Sequence, residues 1–452
     1  MALTDEEIQQ VMAKRKEIIE QNEDTVFYIG TNENRKYYTI IEIKNETTQG
    51  IAFVPSDSEG KNLDYTQTSV VYLGTQVGLE TVWVTPTDPI LVPNESTRNA
   101  IKAREALSPQ YNDMELFYKN AAEEVAKHNG TITNLSAYSQ SGVPGVKIGA
   151  KYKVPQITTF VDWGGIGALN SGVFTKSELE YINSHTHSYS DSGKDLTSLD
   201  GGGGKIVYGK VFTAEGTHGI NSPWGDHAPE FFHLKGNRLD IDWYYKKNMF
   251  ATGMSEAQVR KIAKVKAQKA KETNLLDWGT WFDSTDPEVY VKEYLEKYGP
   301  FEPEPVDKVK LNNKTIMELH KKMGSVSGSK LISLREELVA TVADNARLQG
   351  SLYQSEVDQK LAQAKESAEN HISEVHEAAY QMAKSLSSSE VETLLSEFTL
   401  ETCWDAGLET GTLEQSASYA RKLSEIAEVL EAASGKIVAL DKEQAALFGL
   451  SK

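Results

Sequence analysis

Ser139 lies in the run Asn129 to Tyr152, NGTITNLSAYSQSGVPGVKIGAKY, where a strand-like apolar stretch gives way to a helix of small residues. A serine at such a corner is either a turn residue or a nucleophile. In a nucleophile elbow the chain turns so sharply from strand to helix that the residues two before and two after the serine must be small. Ala137 and Ser141 hold those positions here, so the literal Gly-x-Ser-x-Gly is absent while its steric requirement is kept. Gly142, Gly145, Gly149 and Ala150 would let the following helix lie close on a sheet, and Pro144 suits a first helical turn. The N-terminus of that helix favours the negative charge that develops during acyl transfer.

A nucleophilic serine needs a histidine to take its proton and a carboxylate to orient that histidine. Downstream stand His218 in EGTHGIN and His227 in DHAPEFF, with Asp191, Asp195 and Asp200 before them. The chain order serine, acid, histidine is that of α/β hydrolases. Other clusters carry less. His185 and His187 would point the same way from a strand, a metal-ligand spacing, but no third ligand sits at a matching offset and exposed loop histidines are the simpler reading. Asp200 to Lys205, DGGGGK, precedes a strand and lacks the ending of a phosphate loop, so it reads as a flexible turn. The segment from Ser255, SEAQVRKIAKVKAQKAKE, opens with a capping box and runs as a basic helix with a solvated face. The alternative is that, beside NLLDWGTWF (Asn274 to Phe282), it helps hold a lipid surface. Gly164 to Val173, glycine-rich after a strand, reads as a mobile loop.

The elements that must position these residues alternate. YYTIIEI (37–43), GIAFV (50–54), SVVYLG (69–74), TITNL, QITTFV (156–161) and KIVYGKVF (205–212) have the β-branched and aromatic content of strands. Between them, Met114, Phe117, Ala121 and Val125 share one helical face. Strands separated by helices predict an α/β domain with a mostly parallel sheet. An amphipathic helix with acids in its first turn, MALTDEEIQQVMAKRKEI, opens the chain, without the apolar core of a secretory signal. Pro300, Pro303 and Pro305 mark an extended linker over 300–308, separating a domain over 1–299 from one over 309–452. The second is almost wholly helical. Tyr419, Leu423, Ile426, Leu430, Ala433 and Ile437 form one seam, and Ile372, Val375, Ala379, Met382 and Leu386 another, as in a bundle or a partner-binding surface.

Bulk composition excludes several classes. With 39% hydrophobic and 25% charged residues, the 452-residue chain is a globular protein of two or three domains. Its single cysteine, Cys403, rules out an internal disulfide and a multi-cysteine zinc site. A net charge of −18 argues against nucleic acid and against simple attraction to anionic membranes.

Taken in order, the segments resemble class 3 lipases, the fungal-type lipase family of α/β hydrolases. SVVYLGTQVGLETVWVTPTD resembles its hydrophobic strand, Arg-Gly-Thr/Ser, then Trp and Asp, with Leu73 in place of the arginine. QITTFVDWGGIG resembles its Thr-Phe-Gly-x-Pro-x-x-Gly strand. SGKDLTSL resembles its acid-bearing Asn-x-x-Asp-Ile-Val-Pro-x-Leu segment, and DHAPEFF its His-x-x-Pro-Glu-Tyr-Trp segment, one residue shorter. The resemblance covers about residues 25 to 240. It implies Ser139 as nucleophile, His227 as general base and acid, and Asp195 as the orienting carboxylate. Asp191 or Asp200 would replace Asp195 on a one-residue loop difference, and His218 is the alternative to His227. It further implies an oxyanion hole from the backbone N–H groups of Gln140 and Thr75, and no metal or organic cofactor.

Leu348-Gln349-Gly350 spells L-x-G in the helical part. A hydrolase followed by a linker and such helices resembles the type VII-secreted lipase toxins of staphylococci, toxin domain first and LXG-like targeting domain last. This implies phospholipid or another lipid ester as substrate and small helical WXG100-like partners on the C-terminal helices. It also implies an immunity protein on the lipase domain and export from the cytoplasm without a cleaved signal peptide. The rival readings are a hydrolase-fold binding protein without chemistry and an intracellular esterase whose helices only oligomerise.

Overall fold

In the computed structural model the described residues are 3–31, 34–76, 79–85, 88–192, 206–216, 228–273, 284–327 and 329–447. The chain divides into two compact units, Met1–Glu302 and Pro303–Lys452.

The first unit is built on an eight-stranded mixed sheet. Its strands are β1 (Val26–Ile29), β2 (Lys36–Asn45), β3 (Gln49–Ser56), β4 (Thr68–Tyr72), β7 (Ile132–Tyr138), β8 (Gln156–Phe160), β9 (Thr186–Asp191) and β10 (Lys210–Ala214), in that spatial order. The intervening β5 (Leu79–Thr85) and β6 (Asp88–Pro93) form a separate antiparallel hairpin. From β1 to β4 the neighbours are antiparallel. From β4 through β7, β8, β9 and β10 they are parallel, so five strands end on one edge. Strands covered on both faces read as continuous apolar runs, and all five residues of β4 are buried.

One face of the sheet is covered by α1 (Asp5–Ala13), through Ile8, Val11 and Met12, packed with Phe160, Tyr189, Phe212 and Phe232. The other is covered by α4 (Tyr111–Lys127) and α5 (Gly142–Tyr152). Met114, Phe117, Ala121 and Val125 of α4 are all buried, as their spacing predicts. Burying a side chain such as Phe117 contributes about 1.5–3 kcal/mol. The remaining helices are α2 (Arg15–Ile18), α3 (Glu95–Ala103), α6 (Gly165–Asn170), α7 (Lys176–His185), α8 (Ile241–Lys246), α9 (Glu256–Thr273) and α10 (Pro287–Lys297).

Several expectations change. KIVYGKVF is not one strand: β10 begins only at Lys210, because Gly209 takes a left-handed φ of +71° and breaks the extended run. The glycine-rich 164–173 stretch is largely helix α6, with Gly164 and Gly167 chosen for close approach to the backbone of Ala103 and Arg104. His185 closes helix α7 while His187 lies on β9, so the two do not share a strand face. Nor is His187 a loop residue. Its Nδ1 lies 2.6 Å from Asp5 Oδ2, and Asp5 is wholly buried in the first turn of α1. Thr158 Oγ1, Gln156 Nε2 and Tyr189 OH also donate to the Asp5 carboxylate, at 2.5, 2.9 and 2.7 Å. An acid that looks like a helix dipole partner in the sequence thus docks the N-terminal helix onto β8 and β9.

The second unit comprises α11 (Pro305–Met323), α12 (Ser329–Met382), α13 (Ser388–Leu395), α14 (Leu400–Cys403) and α15 (Ala406–Leu447). Because Pro305 occupies the first helical position, where a missing N–H costs nothing, the 300–308 linker is shorter than its prolines suggest. Helices α12 and α15 run antiparallel: Arg347 forms a two-pronged pair with Glu431, the Tyr353 and Tyr419 rings lie 5.0 Å apart, and Lys365 pairs with Glu409. Gly350, the glycine of the L-x-G, brings the two backbones together, since a methyl there would meet Ala420 Cα at 3.0 Å. The seams are only partly covered: Val375, Met382, Ile426 and Ile437 stay exposed.

Candidate active site

Ser139 follows the last residue of β7, a strand with parallel neighbours on both sides, and opens a short 3-10 turn (Ser139–Ser141) that leads straight into α5. Its φ is +57°, a left-handed conformation that costs a non-glycine residue about 1–2 kcal/mol. Strain of this kind persists where the surroundings over-determine it. Those surroundings are small residues and hydrogen bonds. A methyl on Gly145 would lie 2.7 Å from Ala137 Cβ, and one on Gly149 2.5 Å from Ile157 Cδ1, so α5 can lie on β7 and β8 only with glycine there. Ser141 Oγ donates to the Leu73 carbonyl at 2.5 Å, and the Trp163 N–H donates to the Ser139 carbonyl at 3.1 Å. Gly145→Val is expected to destabilise the first unit by about 1–3 kcal/mol, read as a lower urea midpoint.

The Gly74–Thr75 segment, leaving the end of β4, crosses directly beside the elbow. A methyl on Gly74 would sit 2.6 Å from the Tyr138 ring and 2.9 Å from Ser139 Cβ. Thr75 is half-buried and Gln140 wholly buried. A residue the sequence does not single out ties these two segments together. Ser96 Oγ, in the first turn of α3, accepts the Gln76 N–H at 3.0 Å and Gln140 Nε2 at 3.4 Å. Its only sequence signal is the Asn94-Glu95-Ser96-Thr97 helix start, which says nothing of what it touches.

Neither a protein-family model nor a curated protein nor a solved structure matches the chain. The site therefore stands on its geometry.

Asp191 is the last residue of β9, two strands from the elbow strand and on the same sheet edge; it is buried. Asp195, Asp200, His218 and His227 lie outside the described residues, as do DGGGGK and NLLDWGTWF. The segment that leaves His227 is described, and it returns to the elbow. Pro229–Phe231 form a 3-10 turn, and the Phe232 ring packs at a tilt against Phe160 and Tyr189. Arg15, buried in α2, links this segment to the elbow strand: its guanidinium pairs with Glu230 at 2.6 Å and lies 5.0 Å from the Tyr138 ring centroid. Gln9 Nε2 donates to the Pro229 carbonyl at 2.7 Å. The position three residues past His227 is thereby bridged to the position one before Ser139.

Burial pushes the Asp162 carboxyl, two residues past β8, up to about 7. A second raised carboxyl, Glu42, belongs to a different place. Burial, with Glu23 and Glu124, holds it up at about 7 despite a hydrogen bond from Asn120. It lines a cleft with Glu23, Asp24, Glu123, Glu124 and Lys127, at the amino ends of the parallel strands, opposite the elbow. Among the described residues no three histidine, cysteine or acidic side chains are placed to hold a metal ion, and no helix is long and apolar enough to cross a membrane.

Proposed function

We propose that the first unit is a serine acyl-ester hydrolase of the α/β-hydrolase type, acting on lipid esters, with phospholipid the class the resemblance implies. The observation that carries this reading is the left-handed Ser139 at a strand-to-helix corner, on the carboxyl edge of a strand with parallel neighbours on both sides. Carboxyl edges of parallel strands are where such sheets bind ligands. In this reading Ser139 Oγ attacks the ester carbonyl as His227 takes its proton. The tetrahedral oxyanion is met by the backbone N–H groups of Gln140 and Thr75, each donor contributing about 3–4 kcal/mol to the barrier lowering. His227 then returns the proton to the leaving alcohol, and activated water releases the acid from the acyl-enzyme. The orienting carboxylate comes from the chain that leaves β9, where Asp191 closes the strand and Asp195 follows four residues later.

Helices α12 and α15 keep apolar seams exposed in the single chain, which supports their role as a docking surface for small helical partners. With the hydrolase unit first, this supports a type VII-exported toxin whose lipase domain is held silent by an immunity protein until delivery. A fluorophosphonate ester tests the chemistry. The intact chain is expected to be labelled on Ser139, located by peptide mapping, and labelling elsewhere or none would leave a hydrolase-like fold without its reaction.

A further inference from the structure

Asp162 is a carboxylic acid that the triad chemistry does not use, yet it lies at the base of the elbow. Its side chain is wholly buried, and the buried Tyr208 hydroxyl donates to its Oδ2 at 2.9 Å. Oδ1 takes no well-formed hydrogen bond, because the Thr159 hydroxyl beside it donates to Ser188 Oγ at 3.0 Å. Instead Oδ1 faces Gly142, the first residue of α5, so closely that a methyl on that Cα would overlap the carboxyl. The flanking residues are fixed as well. The Val161 N–H reaches the Tyr189 carbonyl at 2.8 Å from a left-handed φ of +45°. The Trp163 N–H holds the Ser139 carbonyl, while its indole holds the Ala100 carbonyl at 2.7 Å.

We infer that Asp162 in its neutral form is the positioning residue of the elbow, seating the first turn of α5 beneath Ser139. The slot suits a neutral carboxyl. Three groups face it: Gly142 from α5, Thr159 from β8 and Tyr208 from the segment before β10. None is charged, and an ionised carboxylate would have one firm donor in a wholly buried slot. Ionisation would also set a buried negative charge against the first residue of α5, where it would offset the positive helix end that favours the acyl-transfer oxyanion. Burial already resists that charge, which fits a carboxyl raised to about 7. The same slot explains why position 142 is glycine, since any side chain there would evict the carboxyl.

The kinetic arm of the test rests on the hydrolase reading; the second arm does not. With the full chain and a soluble short-chain ester, the ratio of Asp162→Asn to wild-type kcat is expected to rise about tenfold between pH 6 and pH 8, as the wild-type acid ionises around pH 7. KM should stay within about twofold. In the second arm, hydrogen exchange at the α5 first-turn amides is corrected for its intrinsic pH dependence. Wild type is expected to lose protection over the same interval, and Asp162→Asn to keep it. A kcat ratio that stays flat, or equal protection in the two proteins, overturns the inference. Should Ser139→Ala retain wild-type turnover, the hydrolase reading fails by itself and exchange alone decides the role of Asp162.

Discussion

Ser139→Ala is expected to cut ester turnover by at least about 10⁴-fold while leaving the urea midpoint of the first unit where it was. Removing a triad nucleophile leaves only the oxyanion donors and substrate binding, which is the reason for so large a factor. The stability half is equally specific. Alanine carries a Cβ, as serine does, so it bears the same penalty at φ +57°. Glycine does not. Ser139→Gly is therefore expected to be as inactive as the alanine variant yet more stable, by about 1 kcal/mol. A residue whose removal stabilises the fold and abolishes turnover is one the fold holds under strain for chemistry. Were Ser139→Gly less stable than wild type, Ser139 would be a structural turn residue. Retained turnover in the alanine variant would instead point to another nucleophile.

The elbow is legible in the sequence because its requirements are local. Small residues at 137, 141, 142, 145 and 149 and a strand–helix change of period are written within about twenty positions, and each glycine proves to face a neighbour too close for a methyl. Amphipathic α4 is legible for the same reason. What escapes is whatever depends on contacts made at long range. Asp162 looks like a loop acid, and only the fold shows that Tyr208 and Gly142 enclose it. Arg15 looks like one of several cations in a surface helix, and only the fold shows it bridging Tyr138 and Glu230. Single-residue backbone choices mislead in the other direction: Gly209 shortens β10, and Pro305 starts a helix where a run of prolines suggests an extended chain. Val161 is the instructive mixture. It stands where the resembled lipase segment has glycine, and its φ of +45° is one that glycine adopts without cost.

Asp5→Ala is expected to destabilise the first unit by about 3–5 kcal/mol, the range found when one member of a buried ionic cluster is removed. The carboxylate is wholly buried and takes hydrogen bonds from Thr158, Gln156 and Tyr189 with His187 Nδ1 at 2.6 Å; Thr158 and Tyr189 are themselves buried, so solvent cannot take its place for them. Each buried donor left unpaired costs about 1–3 kcal/mol. Asp5→Asn keeps the volume and one acceptor oxygen but turns an amide toward groups that donate, so its midpoint should fall between the two. The loss should reach the Ser139 corner, because α1 and α2 are consecutive and Arg15 of α2 spans from Tyr138 to Glu230. Urea titration followed by tryptophan fluorescence gives the stability, and the rate of fluorophosphonate labelling at Ser139 gives the coupling. If the Asp5→Ala midpoint matched wild type, Ile8, Val11 and Met12 alone would hold the helix on the sheet. If the midpoint fell and labelling did not slow, the helix would brace the fold without bracing the elbow. The predicted result, both falling together, makes the N-terminal helix the outer support of the Ser139 corner.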